Sequence, residues 1–327
     1  TYTEFINKEL VQYSVASNAR AIPSVIDGLK PGQRKIVFAS FKRGLKGEIK
    51  VAQLAGYVAE HSAYHHGETS LVGTIINLAQ DYIGSNNIPL LLPLGQFGTR
   101  AMGGKDAASA RYIFTKLSPL TRLLFPESDD GVLNYLEDDG MRVEPEYYVP
   151  ILPLVLLNGC AGIGMGWSTF IPSYNPMDLI ENVKRLLDDK PLEKMTPWYF
   201  GFRGSITSDS SQNSSIVITG SYKELNSDTL EITELPIGTW TGDYKEFLES
   251  MMTGDKDSQK IAEVKEYHSR GAIHFIIKFR EGVLRTLKED LVKKLRLTSN
   301  ISLKNMVLFN KDGTLTRYDS PEQILIE

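Results

Sequence analysis

Cysteine is almost absent from the sequence, since Cys160 is the only one among 327 residues. One thiol forms no internal disulfide and cannot build a zinc finger, which needs four Cys or His ligands, and it suits a reducing compartment. No apolar run approaches the roughly 18 residues of a membrane-spanning helix, and the N-terminus shows no signal-peptide pattern. We therefore expect no membrane partner. Because the sequence begins with Thr1 rather than Met, we expect it to be a piece of a longer protein.

Two motifs of phosphate chemistry are missing as well. The sequence has no GxxxxGK[ST] loop, which would hold the phosphates of ATP, and no acidic cluster at magnesium-site spacing after a strand. It therefore predicts that neither ATP nor a metal ion is bound by residues of this chain. What remains is an ordinary globular composition, with 42% hydrophobic and 23% charged residues, and a length that suits about two domains.

Positive charge is unevenly distributed along the chain. The net charge of −4 by itself argues against a partner that carries phosphate groups. Residues 30–50 nevertheless hold seven Lys or Arg and one acidic residue, and residues 100–122 hold five and one. Acidic residues gather afterwards, between residues 127 and 146. A local basic field binds phosphates even when the whole chain is acidic, so both segments are candidates for a nucleic-acid interface, with solvated helix faces as the alternative.

The first half of the chain has the pattern of a helix-turn-helix fold. Apolar spacing predicts helices over residues 3–15, from Pro31 onward, over 51–60 and over 68–82. Two β-prone segments follow, IPLLLPLGQFGTR (88–100) and RYIFT (111–115). Short helices joined by tight turns and followed by a β wing predict a winged-helix domain, in which the last helix enters a DNA groove.

The pattern changes after the acidic segment 126–146, which we interpret as a joint. Strands are predicted over residues 215–219, 230–234 and 272–279, and helices over residues 177–189 and 282–297. A hairpin that turns at Asp312-Gly313 and a capped helix that starts after Ser320 end the sequence. The predicted fold class is therefore α+β, with a helix-turn-helix winged-helix domain followed by an α+β domain.

Arg111 and Tyr112 stand side by side after a run of small residues, GGKDAASA (103–110). A tyrosine oxygen attacks a phosphodiester once its proton is removed and the developing charge is stabilised. Because an ordinary tyrosine has a pKa of about 10, only ~1 in 1,000 is ionised at neutral pH, and a neighbour must help. The Arg111 guanidinium offers donors to phosphate oxygens, and the glycines would let the backbone approach DNA. Without further context, such a pair is usually an edge position of a strand.

The wider context of this pair carries a specific resemblance. Residues 90–117, LLLPLGQFGTRAMGGKDAASARYIFTKL, resemble the active-site region of eukaryotic-type type IIA DNA topoisomerases (topoisomerase II). Five further motifs resemble the same family in the same order: RAIPSVIDGLKPGQRK, AYHHGETSL, VEPEYYVPILPLVLLNG, GWSTFIPSYNP and ISLKNMVLFNKDG. Residues 185–300 resemble it more loosely. Bacterial gyrase-type relatives share the Arg-Tyr pair but are expected to differ around it, which favours the eukaryotic or viral branch.

The resemblance implies a catalytic pair. Tyr112 matches the nucleophile of the family, which forms a 5′-phosphotyrosyl link while the 3′-hydroxyl of a deoxyribose leaves. Arg111 matches the residue that stabilises the phosphate. Both residues would act in the DNA-cleavage core of an ATP-dependent type II topoisomerase, an isomerase that cleaves one duplex, passes another through the break and reseals it.

The resemblance also implies DNA contacts and one supporting residue. The positions that match DNA-binding residues are Arg20, Lys30, Arg34, His65, His66, Lys105 and Ile163. Asp27 is expected to orient basic side chains, because a bare carboxylate that faced a phosphate would repel it. The alternative for the histidines is a structural pair bonded to the wing, and the alternative for Lys105 is a solvated side chain.

Ile163 matches the apolar wedge that the family inserts between base steps to bend DNA, where unstacking is exchanged for contacts. Flanking glycines would give it close access to the bases. The motif departs from the family here, with Cys160, Ala161 and Met165 where an Ala-Glu pair and a threonine are expected. The departure leaves the wedge role in place and weakens inference about the neighbours of Ile163, for which a core position is the ordinary alternative.

Further expectations rest on the family alone. The resemblance implies a homodimer on double-stranded DNA, Mg²⁺ and ATP as cofactors of the full-length enzyme, nuclear localisation with a viral or organellar origin as the alternative, and a family targeted by drugs that stabilise DNA cleavage. The winged-helix domain would span residues 1–146 and the tower domain residues 147–300. Residues 301–327 would form a hairpin and the start of a truncated helix that leads to a coiled-coil gate. Without the metal-binding and ATPase domains, this fragment is expected to bind DNA but cleave it poorly.

Two other classes of function remain open at this point. A non-catalytic winged-helix or architectural module, in which Tyr112 merely packs, predicts no covalent adduct with DNA. A purely structural dimerisation piece predicts no salt-dependent DNA binding, whereas several phosphate contacts predict steep salt dependence. A solvent-exposed Tyr112 beside a cation favours the catalytic hypothesis, and a phenol sealed in the interior excludes it.

Overall fold

The computed structural model describes residues 1–138, 140–208, 215–253, 260–269, 271–287 and 290–327. Its helices are α1 (Tyr2–Glu4), a π-helical turn (Phe5–Leu10), α2 (Val11–Ala21), α3 (Pro31–Lys42), α4 (Val51–His61), α5 (Glu68–Ala79), α6 (Thr121–Leu124), a 3₁₀ turn (Glu127–Gly131), α7 (Leu154–Asn158), α8 (Pro176–Leu187), α9 (Thr241–Thr253), α10 (Val283–Leu287), α11 (Leu291–Lys294) and α12 (Pro321–Ile326). Its strands are β1 (Ile49–Lys50), β2 (Phe114–Thr115), β3 (Tyr135–Asp138), β4 (Met141–Pro145), β5 (Cys160–Ile163), β6 (Ser168–Ile171), β7 (Ser205–Ser208), β8 (Ser215–Thr219), β9 (Ser221–Glu224), β10 (Thr229–Glu234), β11 (Ile261–Glu266), β12 (Phe275–Phe279), β13 (Thr298–Ser302), β14 (Met306–Phe309) and β15 (Leu315–Tyr318).

The helix-turn-helix and its wing form as predicted. Helix α3 begins at Pro31 and packs against α4 and α5 through residues whose helical spacing predicts a buried face: Ile36, Val37, Leu71, Ile75 and Leu78. Strand β1 pairs with β2 in antiparallel register, with Lys50 opposite Phe114. Leu94 adds a bridge to Phe114 from the other side. The two β-prone segments therefore meet beside the first turn of α4.

The N-terminal helix is longer than the predicted segment 3–15, since α1, the π-helical turn and α2 follow one another without a break from residue 2 to residue 21. Its apolar residues Phe5, Ile6 and Val11 are exposed, so the helical spacing is confirmed while the apolar face lies open in the single chain. Asn18, two turns after Val11 on the same face of α2, is buried. Helix α2 therefore contacts the rest of the chain mainly through its C-terminal half.

The second half combines two antiparallel sheets with short hairpins. The sheets have the strand orders β11-β12-β10-β9 and β13-β8-β7, and the predicted strands correspond to β8, β10 and β12. The helix predicted over 177–189 is α8. The helix predicted over 282–297 is described as α10 and α11, with residues 288 and 289 outside the described part. No helix within the described ranges is long and apolar enough to cross a bilayer.

The hydrophobic core does not divide at residue 146. The core around α3, α4 and α5 also contains side chains from residues 148–179 and 306–324. A second core joins β10, β11 and β12 to α9, α10 and α11. The bounds predicted for the two domains stay a prediction, but the packing indicates that β5, β6 and the β14–β15 hairpin belong with the winged-helix part.

Candidate active site

Tyr112 projects from the wing next to β2, and 69% of it is exposed. Tyr112 lies in a turn in which its amide donates to the Ser109 carbonyl at 2.9 Å, and the next residue, Ile113, is buried. The first turn of α4 holds the backbone on both sides of the projection. The Val51 amide donates to the Ile113 carbonyl at 3.0 Å, and the Ala52 amide donates to the Ala110 carbonyl at 3.1 Å. The backbone is thus fixed while the phenol reaches solvent.

One cationic side chain, that of Arg111, lies beside this phenol, and that of Lys50 lies on the strand paired with β2. The Arg111 Cζ lies 5.2 Å from the Tyr112 ring centroid, within cation–π range. Lys50, directly across the β1–β2 pair, places its Nζ 5.9 Å from the Phe114 ring. The sequence predicted Arg111 but not Lys50 as a site residue, although Lys50 immediately precedes the helix that holds Tyr112. A phosphate at the phenol oxygen would lie near the positive charge of Arg111.

The loop of residues 97–110 carries Lys105, whose side chain is exposed. The loop closes on itself through Asp106, whose carboxylate accepts from the Thr99 amide at 2.8 Å and from the Thr99 hydroxyl at 2.7 Å. Burial raises the pKa of Asp106, but these hydrogen bonds outweigh it and hold the pKa below its ordinary value. The loop therefore has a defined shape with Lys105 on its outer side.

The glycines of this loop pack inward rather than lining a DNA-facing surface. A Cβ on Gly103 would overlap the indole nitrogen of Trp240, and a Cβ on Gly104 would overlap the side-chain amide of Gln80. The sequence predicted that these glycines let the backbone approach DNA. In the structure, the missing side chains at the two positions instead allow close contact with other segments of the protein.

His65 and His66 lie in the connection between α4 and α5, and both are exposed. The His66 ring packs edge-on against Tyr64, with centroids 5.4 Å apart. The His65 Nε2 lies 3.8 Å from a carboxylate oxygen of Asp138 on β3. Helix α5 begins two residues later with Gly67 as its N-cap, so the histidines stand beside a helix N-terminus, which favours anions.

Ile163 is 87% exposed at the end of β5, on a hairpin that lies directly on α2. Glycine is required where the hairpin meets the helix: a Cβ on Gly162 would overlap the Ala21 carbonyl, and a Cβ on Gly164 would overlap the Asn18 side-chain oxygen. The hairpin backbone is therefore seated on the helix, and Ile163 points away from it. This placement does not correspond to the core alternative for Ile163.

Lys30 and Arg20 flank the same hairpin. The Lys30 Nζ donates to the Ala161 carbonyl at 2.7 Å, and burial lowers the pKa of Lys30 although nearby Cys160 acts in the opposite direction. Burial raises the pKa of the Cys160 thiol to about 11, so the thiol is protonated at neutral pH. Arg20 lies in the last turn of α2 and is exposed. Lys30 thus contacts the hairpin that carries Ile163, and Arg20 precedes Ala21, whose carbonyl meets Gly162 of the same hairpin.

Arg34 lies in the interior, which differs from the predicted DNA contact. Arg34 is 7% exposed and Asp27 is 0% exposed, and the guanidinium binds the carboxylate through Nε at 2.7 Å and Nη2 at 3.0 Å. The same carboxylate accepts from the Tyr148 amide at 3.0 Å. Asp27 holds the Arg34 guanidinium in the interior, so the two residues form a buried pair, and the supporting role of Asp27 stays a prediction.

A metal ion is not assigned to this site. Within the part of the chain that the structure describes, no group of three or more His, Cys, Asp or Glu side chains is close enough together to hold one. The groups that the described residues expose here are a phenol, cationic side chains and the apolar side chain of Ile163.

Comparisons with known proteins identify the family of the chain. The family model of the A-type chain of DNA gyrase/topoisomerase IV matches residues 20–327. The chain is 54% identical to DNA topoisomerase 2 of Arabidopsis thaliana and 55% identical to DNA topoisomerase 2 top-2 of Caenorhabditis elegans, covering 100% of this chain and 22% of each relative. It superposes with a TM-score of 0.95 and 50% identity on the crystal structure of the Plasmodium falciparum topoisomerase II DNA-binding, cleavage and re-ligation domain, covering 99% of this chain and 44% of that one. The chain thus spans about a fifth of the length of its curated relatives.

Proposed function

Since the chain belongs to the DNA gyrase/topoisomerase IV family, we propose that it is the DNA-binding and cleavage core of an ATP-dependent type II DNA topoisomerase of the eukaryotic type. Relatives at more than half identity over the whole chain support the eukaryotic branch. The substrate is double-stranded DNA, and the reaction is a reversible transesterification in its backbone. A non-catalytic module is disfavoured, because the structural relative is itself named for cleavage and re-ligation.

The single observation that carries the mechanism is the exposed phenol of Tyr112 on a backbone held from both sides. The phenol oxygen attacks a backbone phosphorus, the P–O3′ bond breaks, and the phenol proton ends on the departing 3′-oxygen. The products are a 5′-phosphotyrosyl link and a free 3′-hydroxyl, and attack by that hydroxyl reverses the step. Arg111 and Lys50 stabilise the negative charge that develops on the phosphate oxygens.

The remaining site residues hold and bend the duplex. Exposed Arg20, Lys105 and the two histidines contact the backbone, and Lys30 holds the hairpin that carries Ile163. Ile163 enters between base steps, and the bend it produces brings more protein surface to the DNA. Readout of this kind follows backbone shape and deformability rather than base edges.

The other components of the reaction are assigned to the full-length protein. A duplex has two strands and each chain offers one Tyr112, so a double-strand break requires two copies, which supports a homodimer. On the family relationship, we assign Mg²⁺ and ATP to parts of the full-length protein outside this chain. The family relationship supports nuclear localisation and sensitivity to drugs that stabilise cleaved DNA.

The test replaces Tyr112 by Phe in the full-length enzyme. Supercoiled DNA is offered, the reaction is stopped with detergent, and protein attached to 5′ ends is quantified. Tyr112→Phe removes the nucleophilic oxygen and is expected to abolish the adduct, with DNA affinity changed by less than about three-fold, since one of many contacts is touched. Tyr13→Phe, at another exposed tyrosine, is the matched control.

Two results of this experiment bear on the assignment. An undiminished adduct in Tyr112→Phe would remove Tyr112 as the nucleophile. Residues 1–327 alone serve as a second arm, expected to bind DNA with steep salt dependence and to give little adduct. Substantial Mg²⁺-dependent cleavage by that fragment would show that the metal ligands lie within it.

A further inference from the structure

The loop of residues 97–110 is fastened to the second core by a buried ion pair. The Arg100 Nη2 lies 2.6 Å from the Glu234 Oε1, and the two side chains are 6% and 3% exposed. The same nitrogen donates to the Leu235 carbonyl at 2.9 Å. Arg100 is part of the basic segment 100–122, but its charge is neutralised in the interior by Glu234. The two residues are 134 positions apart in the sequence.

An indole ring forms a second attachment of the same loop. Trp240 lies against Gly103 so closely that a Cβ there would overlap the ring. On its other side Trp240 meets Tyr82 edge-on, with centroids 5.9 Å apart. One hydrogen bond, from the Gly242 amide to the Ala101 carbonyl at 2.9 Å, joins the backbones beside the ring. The loop is therefore sandwiched between the end of α5 and the start of α9.

The two attachments act on Lys105 more directly than on Tyr112. The Lys105 amide donates to the Met102 carbonyl at 3.2 Å, within the turn that contains Gly103, so a shift of Gly103 carries the Lys105 backbone with it. Tyr112, in contrast, is held by the amides of Val51 and Ala52 on α4. Loss of the Trp240 contact would therefore displace the cation while leaving the nucleophile in place.

We propose that Trp240, together with the Arg100–Glu234 ion pair, is a positioning element for DNA cleavage that sets Lys105 relative to Tyr112. This rests on the proposed function, in which Lys105 contacts the phosphate backbone. The second core thereby contributes to the geometry of the cleavage site without touching DNA there. A misplacement of about 1 Å in a reacting geometry costs up to about 100-fold in rate. A displacement of Lys105 by that amount, after loss of the Trp240 contact, would therefore lower the rate of cleavage measurably.

The experiment is a double-mutant cycle in the full-length enzyme, measured as the single-turnover rate of adduct formation at saturating DNA. Trp240→Ala is expected to lower the rate about 10- to 100-fold, and Trp240→Phe to restore most of it. Lys105→Ala is expected to lower the rate by a similar factor, and Trp240→Ala to have little further effect in the Lys105→Ala background. Trp198→Ala, which removes a similarly half-buried indole that meets Phe200 edge-on, is the matched control.

The outcomes separate the proposal from its premise. An equal Trp240→Ala effect in both backgrounds, or no effect in either, overturns the positioning role, and so does a Lys105→Ala enzyme that cleaves at the parental rate. Failure of the proposed function would instead appear as an adduct that survives Tyr112→Phe. Should Trp240→Ala not fold, Gly103→Ala breaks the same contact from the loop side, and its effect must likewise vanish in the Lys105→Ala background.

Discussion

The buried pair of Asp27 and Arg34 offers a prediction whose magnitude follows from the structure. The Asp27 carboxylate accepts four hydrogen bonds, two from Arg34 and one each from the Leu29 and Tyr148 amides, all between 2.7 and 3.0 Å. Asp27→Asn keeps the shape but removes the charge and turns donors toward donors. Removing one partner of a buried ion pair costs about 3–5 kcal/mol, because the other charge stays buried and uncompensated. We expect a local loss of stability of this size.

Amide hydrogen exchange at Tyr148 measures this loss in the intact protein, because the Tyr148 amide donates to Asp27 itself. At a tenfold change for every 1.36 kcal/mol, the amide should exchange about 10²- to 10⁴-fold faster in Asp27→Asn. Asp188→Asn makes the same change in an ion pair with Lys190 whose side chains are mostly exposed, where about 0–1 kcal/mol is at stake. Equal, small effects of the two substitutions would refute the account of Asp27 as a support.

Two further predictions concern the wedge and the loop. Gly164→Ala should lift the hairpin from Asn18 and reduce DNA bending, which is measured by energy transfer between the two ends of the DNA. Gly47→Ala, whose added Cβ meets no described atom within 4 Å, should leave the bend unchanged. A full bend with Gly164→Ala would contradict the packing of the hairpin on α2. The depressed pKa of Asp106 means that its contribution to loop stability is complete above the ordinary value of 3.8 and lost as the pH falls through the lower folded value. Exchange of the Thr99 amide should therefore accelerate below about pH 3.8 in the parent and be fast already at neutral pH in Asp106→Asn; indistinguishable exchange in the two proteins would rule this out.

The helices and the wing were predictable because their signals are local. Apolar residues three and four positions apart define the buried faces of α3 and α5, and Pro31 marks the start of α3. The exposure of Tyr112 did not follow from strand alternation, because Tyr112 and the likewise exposed Arg111 lie in a turn before the buried Ile113. The function of Tyr112 did not follow from spacing and came from the resemblance of the surrounding motifs.

The fate of the basic residues was not predictable, because it depends on partners that are distant in the sequence. Within one basic segment, Arg34 and Lys35 are neutralised in the interior by Asp27 and Glu144, while Lys50 stays exposed beside the site. Composition counts these charges alike. Only the folded chain shows which cations form buried ion pairs and which remain exposed to solvent.

Two glycines near the site have a packing role that the sequence did not predict. Gly103 and Gly164 occur in small-residue runs that suggest flexible access to DNA, yet each allows close packing against a rigid element, Trp240 in one case and α2 in the other. Close to each of these glycines in the sequence stands an exposed side chain, Lys105 near Gly103 and Ile163 next to Gly164. Tight packing behind an exposed side chain lowers the conformational entropy that must be lost when DNA binds. On the proposed function, this packing fixes the backbone that carries Lys105 and Ile163 before DNA binds.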